Sequence, residues 1–590
     1  MSLRALDLYC GIGGWSLGLR AAGINVVGSY EIWPDAVATY NANLAKRRRP
    51  ADVRTLDLQQ LPKNIDLVVG SPPCTEFSFS NKGGGGDFVE GLKDIVRFLE
   101  IVRFLRPKYW VLENVPRTAL VIEQGLKTAG HPLYPFRSLK PQVKIIDFSK
   151  FGLPQSRRRC LVGNFPFGLL DTYVDLAKAR TLGDVVSSLA AADTVVDPVW
   201  GGSMPRTGLS EMEPEPPLDA EQLRMNREAK RFHPVYNDMS FPDRLDTPSR
   251  TVTATCTRVS RESIVIRNQE DGRLRRLTVR ERASLQGFPI SYQFFAKSHS
   301  TKVKMIGNAV PPLFSFFAGM ASREKSVKFA KAKLKKLEAT GLQLKPTAAP
   351  VFTPPHSVSD KFPEGRRFRA ALPGLRFKSG MRFELANEFK DADVQWRIRF
   401  FFGPSKDIKT IDLNRNLLRS LRMRIALRPI VADLDETLSA VEAFLTDLSP
   451  EVMQQSWTRR IEAIGPYQVV DLIGLAAAEL AKTLALIDSS VVAEIALKLC
   501  GASCSIDSQG SGKIKRNANQ LIAGFLVGSF FNQSICAGAK SYSRRTVSTA
   551  LDTRSCKTME SSNSGDKAVL SSSRFRPEGA NWLQLSGGIA

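Results

Sequence analysis

Ala5-Leu6-Asp7-Leu8-Tyr9 runs straight into Cys10-Gly11-Ile12-Gly13-Gly14-Trp15 and then into a helical apolar pattern through Leu17, Leu19 and Ala22. An apolar strand, a glycine turn and a helix in that order commit the N-terminus to an α/β unit, because parallel strands need crossovers that are usually helices. Such a turn lets a ligand approach the backbone and exposes the unpaired amides of a helix start, which suits a nucleotide-like group or a carboxylate. Many α/β proteins use the same turn for packing alone, so it narrows the fold before it narrows the function. The next strand, Asn25 to Tyr30, ends at Glu31, where a nucleotide-binding fold offers a carboxylate to ribose hydroxyls.

The alternation continues. Ile65 to Val69 reads as a buried strand and leads into Gly70-Ser71-Pro72-Pro73-Cys74-Thr75-Glu76. Two prolines fix the backbone before the sulfur, so a thiolate there would be aimed with little entropy left to lose. Alone, a cysteine after a strand is more often a small buried hydrophobe than a nucleophile. Its company changes the reading. Tyr109 to Leu112 ends in Glu113-Asn114-Val115-Pro116-Arg117, and Gln155-Ser156-Arg157-Arg158-Arg159 precedes a strand from Cys160 to Val162. Open α/β sheets bind ligands at the carboxyl edge of their strands. A thiol, a carboxyl and an arginine at successive strand ends could attack, protonate and clamp one heteroaromatic base.

Taken in order, these segments resemble the motifs of the DNA (cytosine-5)-methyltransferase family over Leu3 to about Ala321. They are joined by Arg250-Thr251-Val252-Thr253-Ala254, Arg276 to Arg282, Leu285-Gln286-Gly287-Phe288-Pro289 and Gly307-Asn308-Ala309-Val310-Pro311-Pro312. The resemblance implies a doubly wound, Rossmann-like methyltransferase domain that depends on S-adenosyl-L-methionine, with a small target-recognition domain; here a C-terminal α+β and helical extension follows. It implies cofactor contacts at Asp7, Tyr9, Gly11, Gly13 and Gly14, at Glu31 and Ile32 beside the ribose, at Asp57 on the adenine amino group, and at Pro73 and Asn308. Cys74 would add to carbon 6 of a flipped cytosine, and Glu113 would hold or deliver a proton at N3. Arg159 would contact the cytosine carbonyl, with Arg157 in support, while the loop Asn81 to Asp87 closes over the base. Thr75 stands where the family commonly has glutamine.

Two other readings remain beside this one. A transfer-RNA cytosine-5 methyltransferase of the same fold is one, although Cys256-Thr257 lacks the aromatic residue that branch places between them. A non-catalytic DNA-binding regulator is the other, and intact Cys74, Glu113 and Arg159 count against it.

Composition agrees with a duplex DNA partner: 83 basic against 58 acidic residues give a net charge of +25, which draws the chain to polyanions and makes binding weaken with salt. No segment reads as a signal peptide or a full membrane span, and the apolar run Leu521 to Phe531 is too short for one. Eight scattered cysteines do not make a disulfide framework, so a reducing cytoplasm, close to the nucleoid, is the expected location, with any cognate restriction endonuclease a separate protein. Cys500 and Cys504 are spaced like half a metal site with no histidine nearby and read as structural; no metal is expected.

The expected organisation is a catalytic domain over 1–164, a target-recognition region over 165–249 and the rest of the catalytic domain over 250–322. A basic helix and proline-rich linker follow over 323–363, then an accessory region over 364–502 and a Ser- and Gly-rich disordered tail over 503–590. Arg206, Arg224, Arg227, Lys230 and Arg231 are the candidate DNA contacts of the recognition region.

Overall fold

A computed structural model describes residues 2–44, 48–77, 87–231, 239–255, 257–269, 271–342, 344, 362–377, 381–390, 393–402, 409–424, 427, 431–446, 448–459, 463–501 and 508–552. The chain forms two units, 1–359 and 360–590. The glycine-rich loop after Asn81 up to residue 86, the proline-rich linker over 345–361 and the end of the chain from 553 lie outside the described residues, as does Cys256.

The first unit is built on a six-stranded sheet: β1 (Arg4–Leu8), β2 (Asn25–Tyr30), β3 (Leu67–Gly70), β4 (Tyr109–Asn114), β5 (Gln142–Asp147) and β6 (Arg158–Asn164). Its order is β2-β1-β3-β4-β6-β5. The first four strands run parallel, and β6 runs antiparallel to both β4 and β5. The two-residue period of the strands divides their side chains between two apolar layers. Ala5, Val26, Leu67, Val69 and Val111 face one layer, with Trp15, Phe314 and Phe317. Leu6, Leu8, Val68, Trp110 and Leu112 face the other, with Phe98 and Ile101. Burial on both faces explains why these strands read as nearly continuous apolar runs.

Helices α1 (Gly14–Ala21), α2 (Pro34–Asn43), α3 (Phe88–Leu105) and α4 (Thr118–Lys127) flank the sheet. From β1 the chain leads outward to β2 on one side, while β3 lies on the other, so the sheet's switch point falls at the carboxyl ends of β1 and β3. That is where open sheets leave a crevice. The late segment returns there: a methyl group placed on Gly14 would stand 1.9 Å from the Val310 carbonyl oxygen, and one on Gly18 would stand 2.2 Å from that of Pro312. Only glycine permits this closeness, and it seats the buried helix Pro312–Ser322 against α1.

The weakly periodic stretch 165–249 is not one separate region. Phe165, Phe167, Tyr173 and Trp200 pack into the main layer, and Leu182, Val185 and Leu189 into a further core with Ile12, Leu17 and Phe288. A small cluster of Leu218, Phe241 and Val265 stands apart, next to the helix Ala220–Arg231 and the strand pair Val265–Arg267 and Leu274–Arg276. Aromatic residues scattered among prolines and glycines carry no period, so only their partners across the fold reveal which are core.

In the second unit the strands Arg369–Arg376, Arg382–Lys390, Asp393–Phe402 and Lys409–Ile411 form an antiparallel sheet. The expected disordered tail is overturned over its first part: helices span Ser508–Arg516 and Ala518–Asp552. Leu521, Phe525, Leu526 and Phe531 are buried, and Phe525 packs edge-on against Phe383 and Phe400 of the sheet. The run too short to cross a membrane is instead a core helix, because its apolar residues cover the sheet's inner face. Cys500 is buried, as a structural cysteine would be; Cys504 is outside the described residues. Among the described residues no helix is long and apolar enough to span a membrane.

Candidate active site

The crevice at the switch point opens into a cavity of about 750 Å³ within the first unit. One end is made by the N-terminal turn. Tyr9 and Gly11 both hold left-handed backbone, φ 54° and 52°, and the Gly11 amide donates to Glu31 Oε2 at 2.9 Å. Glu31 Oε1 accepts from the Trp33 amide, also at 2.9 Å, so two main-chain donors fix the carboxylate with lone pairs left over. Ile32, Trp33 and Ala36 give this end an apolar wall, and Asn308 with Val310 closes it from the returning segment. Opposite, the Arg54 guanidinium makes a two-pronged pair with Asp94, at 2.8 and 2.7 Å, and the Tyr9 hydroxyl donates to the same carboxylate at 3.2 Å.

The other end carries Cys74, Glu113, Arg157 and Arg159. Arg159 Nε lies 3.0 Å from Glu113 Oε1, and Glu113 is buried at 6 % exposure, so the pair is held on the wall of the cavity and shielded from bulk water. Burial pushes the Cys74 thiol up; Arg159 and Arg157 pull it back, and Glu113 opposes them. The sulfur therefore rests as a thiol and must lose its proton before attacking. Asn114 holds the turn that aims it: Nδ2 donates to the Pro72 carbonyl at 3.2 Å while Oδ1 accepts from the Val115 amide and the Thr118 hydroxyl. Sequence alone gives Asn114 no signal beyond its place directly after Glu113.

Arg157 does different work from Arg159. Its guanidinium donates to the carbonyls of Val252, Gly307 and Ala309 at 3.1, 3.0 and 3.2 Å and binds the returning segment to β6. Burial, with Arg159 nearby, lowers it to about 9, so it stays charged at neutral pH. Gln155 adds to the same joint, accepting from the Val252 amide and donating to Leu285 and Gln286.

The expected cofactor residues divide. Tyr9, Gly11, Gly14, Glu31, Ile32, Pro73 and Asn308 line the cavity. Asp7 and Gly13 do not: Asp7 lies under the turn, fully buried, accepting from the Ser16 amide and hydroxyl at 3.1 and 2.6 Å. Gly13, at φ 88°, packs where a side chain would strike Tyr40 and Leu44. Asp57 stands outside the cavity. It caps a short helical turn through the Gln59 amide and is no part of the lining. Asp52, five residues earlier, caps the preceding turn through the Arg54 amide and lines the cavity beside Val53. Two Asp-capped turns in succession look alike in sequence, and only the fold chooses between them.

Two of the candidate DNA contacts have partners within the protein. Lys230 is buried, donates to Asn226 at 2.8 Å and sits over the Phe241 ring, and burial lowers it to about 7. Arg206 donates to the carbonyls of Leu189 and Ala191 and braces a loop. Arg224 pairs with Glu228, Arg227 is exposed, and the side chain of Arg231 lies outside the described residues.

The sequence model of a family described as "C-5 cytosine-specific DNA methylase" matches residues 3–168 and 210–319. A type II methyltransferase, M.AplI of Arthrospira platensis, is 30% identical over 315 residues, covering 53% of this chain and 83% of that protein. Another, M1.HphI of Haemophilus parahaemolyticus, is 29% identical over 329 residues, covering 53% of this chain and 85% of its own length. The crystal structure of the S. pombe Dnmt2 methyltransferase aligns at 19% identity with a TM-score of 0.38, covering 55% of this chain and 98% of that one.

Proposed function

The chain belongs to the C-5 cytosine-specific DNA methylase family, and on that premise we propose that it methylates carbon 5 of a cytosine flipped out of duplex DNA, using S-adenosyl-L-methionine and a covalent Cys74 adduct. The observation that carries this reading is the cavity itself: the turn with Glu31 and the trio Cys74, Glu113 and Arg159 share one continuous space. The turn's end fits the donor. Glu31 has lone pairs free for ribose hydroxyls, Asp52 can accept from an adenine amino group, and Ile32 and Trp33 offer apolar faces to a purine. When bound, the donor supplies an electrophilic methyl group.

The remaining steps belong to the chain. Carbon 5 of cytosine is a weak nucleophile. The Cys74 thiol loses its proton and the sulfur bonds to carbon 6, which drives the ring's electron pair toward carbon 5. Glu113 places a proton at N3, dispersing the charge the addition creates, while Arg159, held against Glu113, reaches the cytosine carbonyl. Once carbon 5 carries the methyl group its proton passes to water, the C5–H electron pair re-forms the ring double bond, the sulfur leaves with the C6–S pair, and N3 returns its proton to Glu113. Flipping the base costs a few kcal/mol and is required because the stacked duplex hides both carbons. Resemblance to type II methyltransferases supports a role in restriction-modification; placement in the cytoplasm near the nucleoid and a separate endonuclease belong to the same proposal.

The test is transfer of labelled methyl from the donor to duplex DNA, run beside transfer RNA and with Cys74→Ala. Label at cytosine C5 of DNA that vanishes in the variant is expected. Label confined to RNA, or persistence in Cys74→Ala, overturns the reading.

A further inference from the structure

The helix Val327–Thr340 lies in the first unit, beyond the stretch the family model matches. It has two unlike faces. Ala330 and Leu334 are buried in the main apolar layer, with Leu337 packed against it. Lys328, Lys331, Lys335 and Lys336 are exposed and Lys333 is half-exposed, and among the described residues none of the five has an acidic partner.

The acids that could neutralise them are committed elsewhere. Glu338 turns to Arg180 at 2.8 Å, and Glu324, just before the helix, holds Lys108 at 2.7 Å and the Tyr109 hydroxyl at 2.5 Å. Like charges three and four residues apart oppose a helix by some tenths of a kcal/mol each, so packing of the apolar face maintains this concentration of charge. A polyanion would relieve it. A lipid surface does not fit, because an interfacial helix must offer its apolar face to the bilayer and here that face is occupied by the core. Lys328 to Lys336 spans about 12 Å, close to the width of the major groove, so lysines at the two ends can meet phosphates on either side of it.

We infer that the exposed lysine face of this helix binds the sugar-phosphate backbone of duplex DNA outside the methylated site, without reading sequence. Duplex DNA as occupant rests on the proposed function; the charged face does not. The face adds to the ion release that drives binding and so to its salt dependence.

The experiment compares full-length protein with the variant carrying Lys328→Gln, Lys331→Gln, Lys335→Gln and Lys336→Gln, and with one carrying arginine at the same four positions. Binding to a duplex of random sequence several helical turns long is measured over a range of salt. Each lost phosphate contact removes about 0.9 from the slope of log K against log salt, so the glutamine variant's slope is expected to be shallower by about 2 to 4 and the arginine variant's unchanged. Methyl transfer at saturating short target duplex is expected to be the same in all three. An unchanged slope overturns the inference, as does a loss seen only with RNA or with anionic vesicles. The binding arm needs no methyl transfer, so failure of the proposed chemistry and failure of this surface remain distinguishable.

Discussion

The two ends of the cavity are built by opposite means. At the turn, backbone does the holding: left-handed Tyr9 and Gly11, the Gly11 and Trp33 amides on Glu31, and Gly14 pressed against Val310. At the thiol, side chains do it: Arg159 on Glu113, Asn114 on Pro72, and Arg157 on three carbonyls. A backbone cradle binds shape and tolerates little change at its glycines, whereas an ion-paired end places charge where it develops during reaction. Variants should therefore separate into those that alter donor affinity and those that alter rate.

Glu113→Gln tests this most severely. It should lower kcat by on the order of 10² to 10⁴-fold, leaving the dissociation constant of S-adenosylhomocysteine within about two-fold. Equal loss of both in single-turnover and calorimetric measurements would erase the distinction between the ends.

Asp7, beneath the turn, gives the next largest effect. Burial raises its carboxyl to about 7, so the folded state keeps a proton that the unfolded chain releases near its ordinary value of 3.8. Its contribution is thus full below that ordinary value and is lost as pH rises through about 7, on the order of 4 kcal/mol in all. Urea unfolding from acid to mildly alkaline pH should show this decline in the wild type and not in Asp7→Asn.

Gly14→Ala forces a methyl group onto the Val310 carbonyl and should cost about 1 to 3 kcal/mol of stability. Thermal unfolding checks it, and donor affinity should fall more than kcat at saturation. The smallest contrast is the sharpest for the cofactor end: Asp52→Ala should weaken S-adenosylhomocysteine by roughly ten-fold, the worth of one hydrogen bond, while Asp57→Ala leaves it unchanged. A reversed outcome would return the adenine contact to Asp57.

Much of this site was legible because its signals are local. A glycine turn after a strand, a thiol after two prolines and a carboxyl at a strand end each declare their chemistry within about ten residues. What sequence did not disclose depends on long-range partners. Gln155 and Arg157 read as part of one arginine motif, yet they join β6 to segments roughly a hundred or more residues away. Lys230 reads as a surface base, and only its burial against Phe241 removes it from the DNA-facing set.

The chain's order of apolar strands, glycines and prolines by itself determined the α/β sheet, the crevice and the thiol placed at its edge, because backbone stereochemistry and strand periodicity act between near neighbours. Tertiary structure alone decided that Asp52 rather than Asp57 faces the cavity, that the 521–531 run is a core helix, and which bases remain exposed. Burial is a property of the assembled packing, and it sets which polar groups keep water, which take a protein partner and which face a ligand.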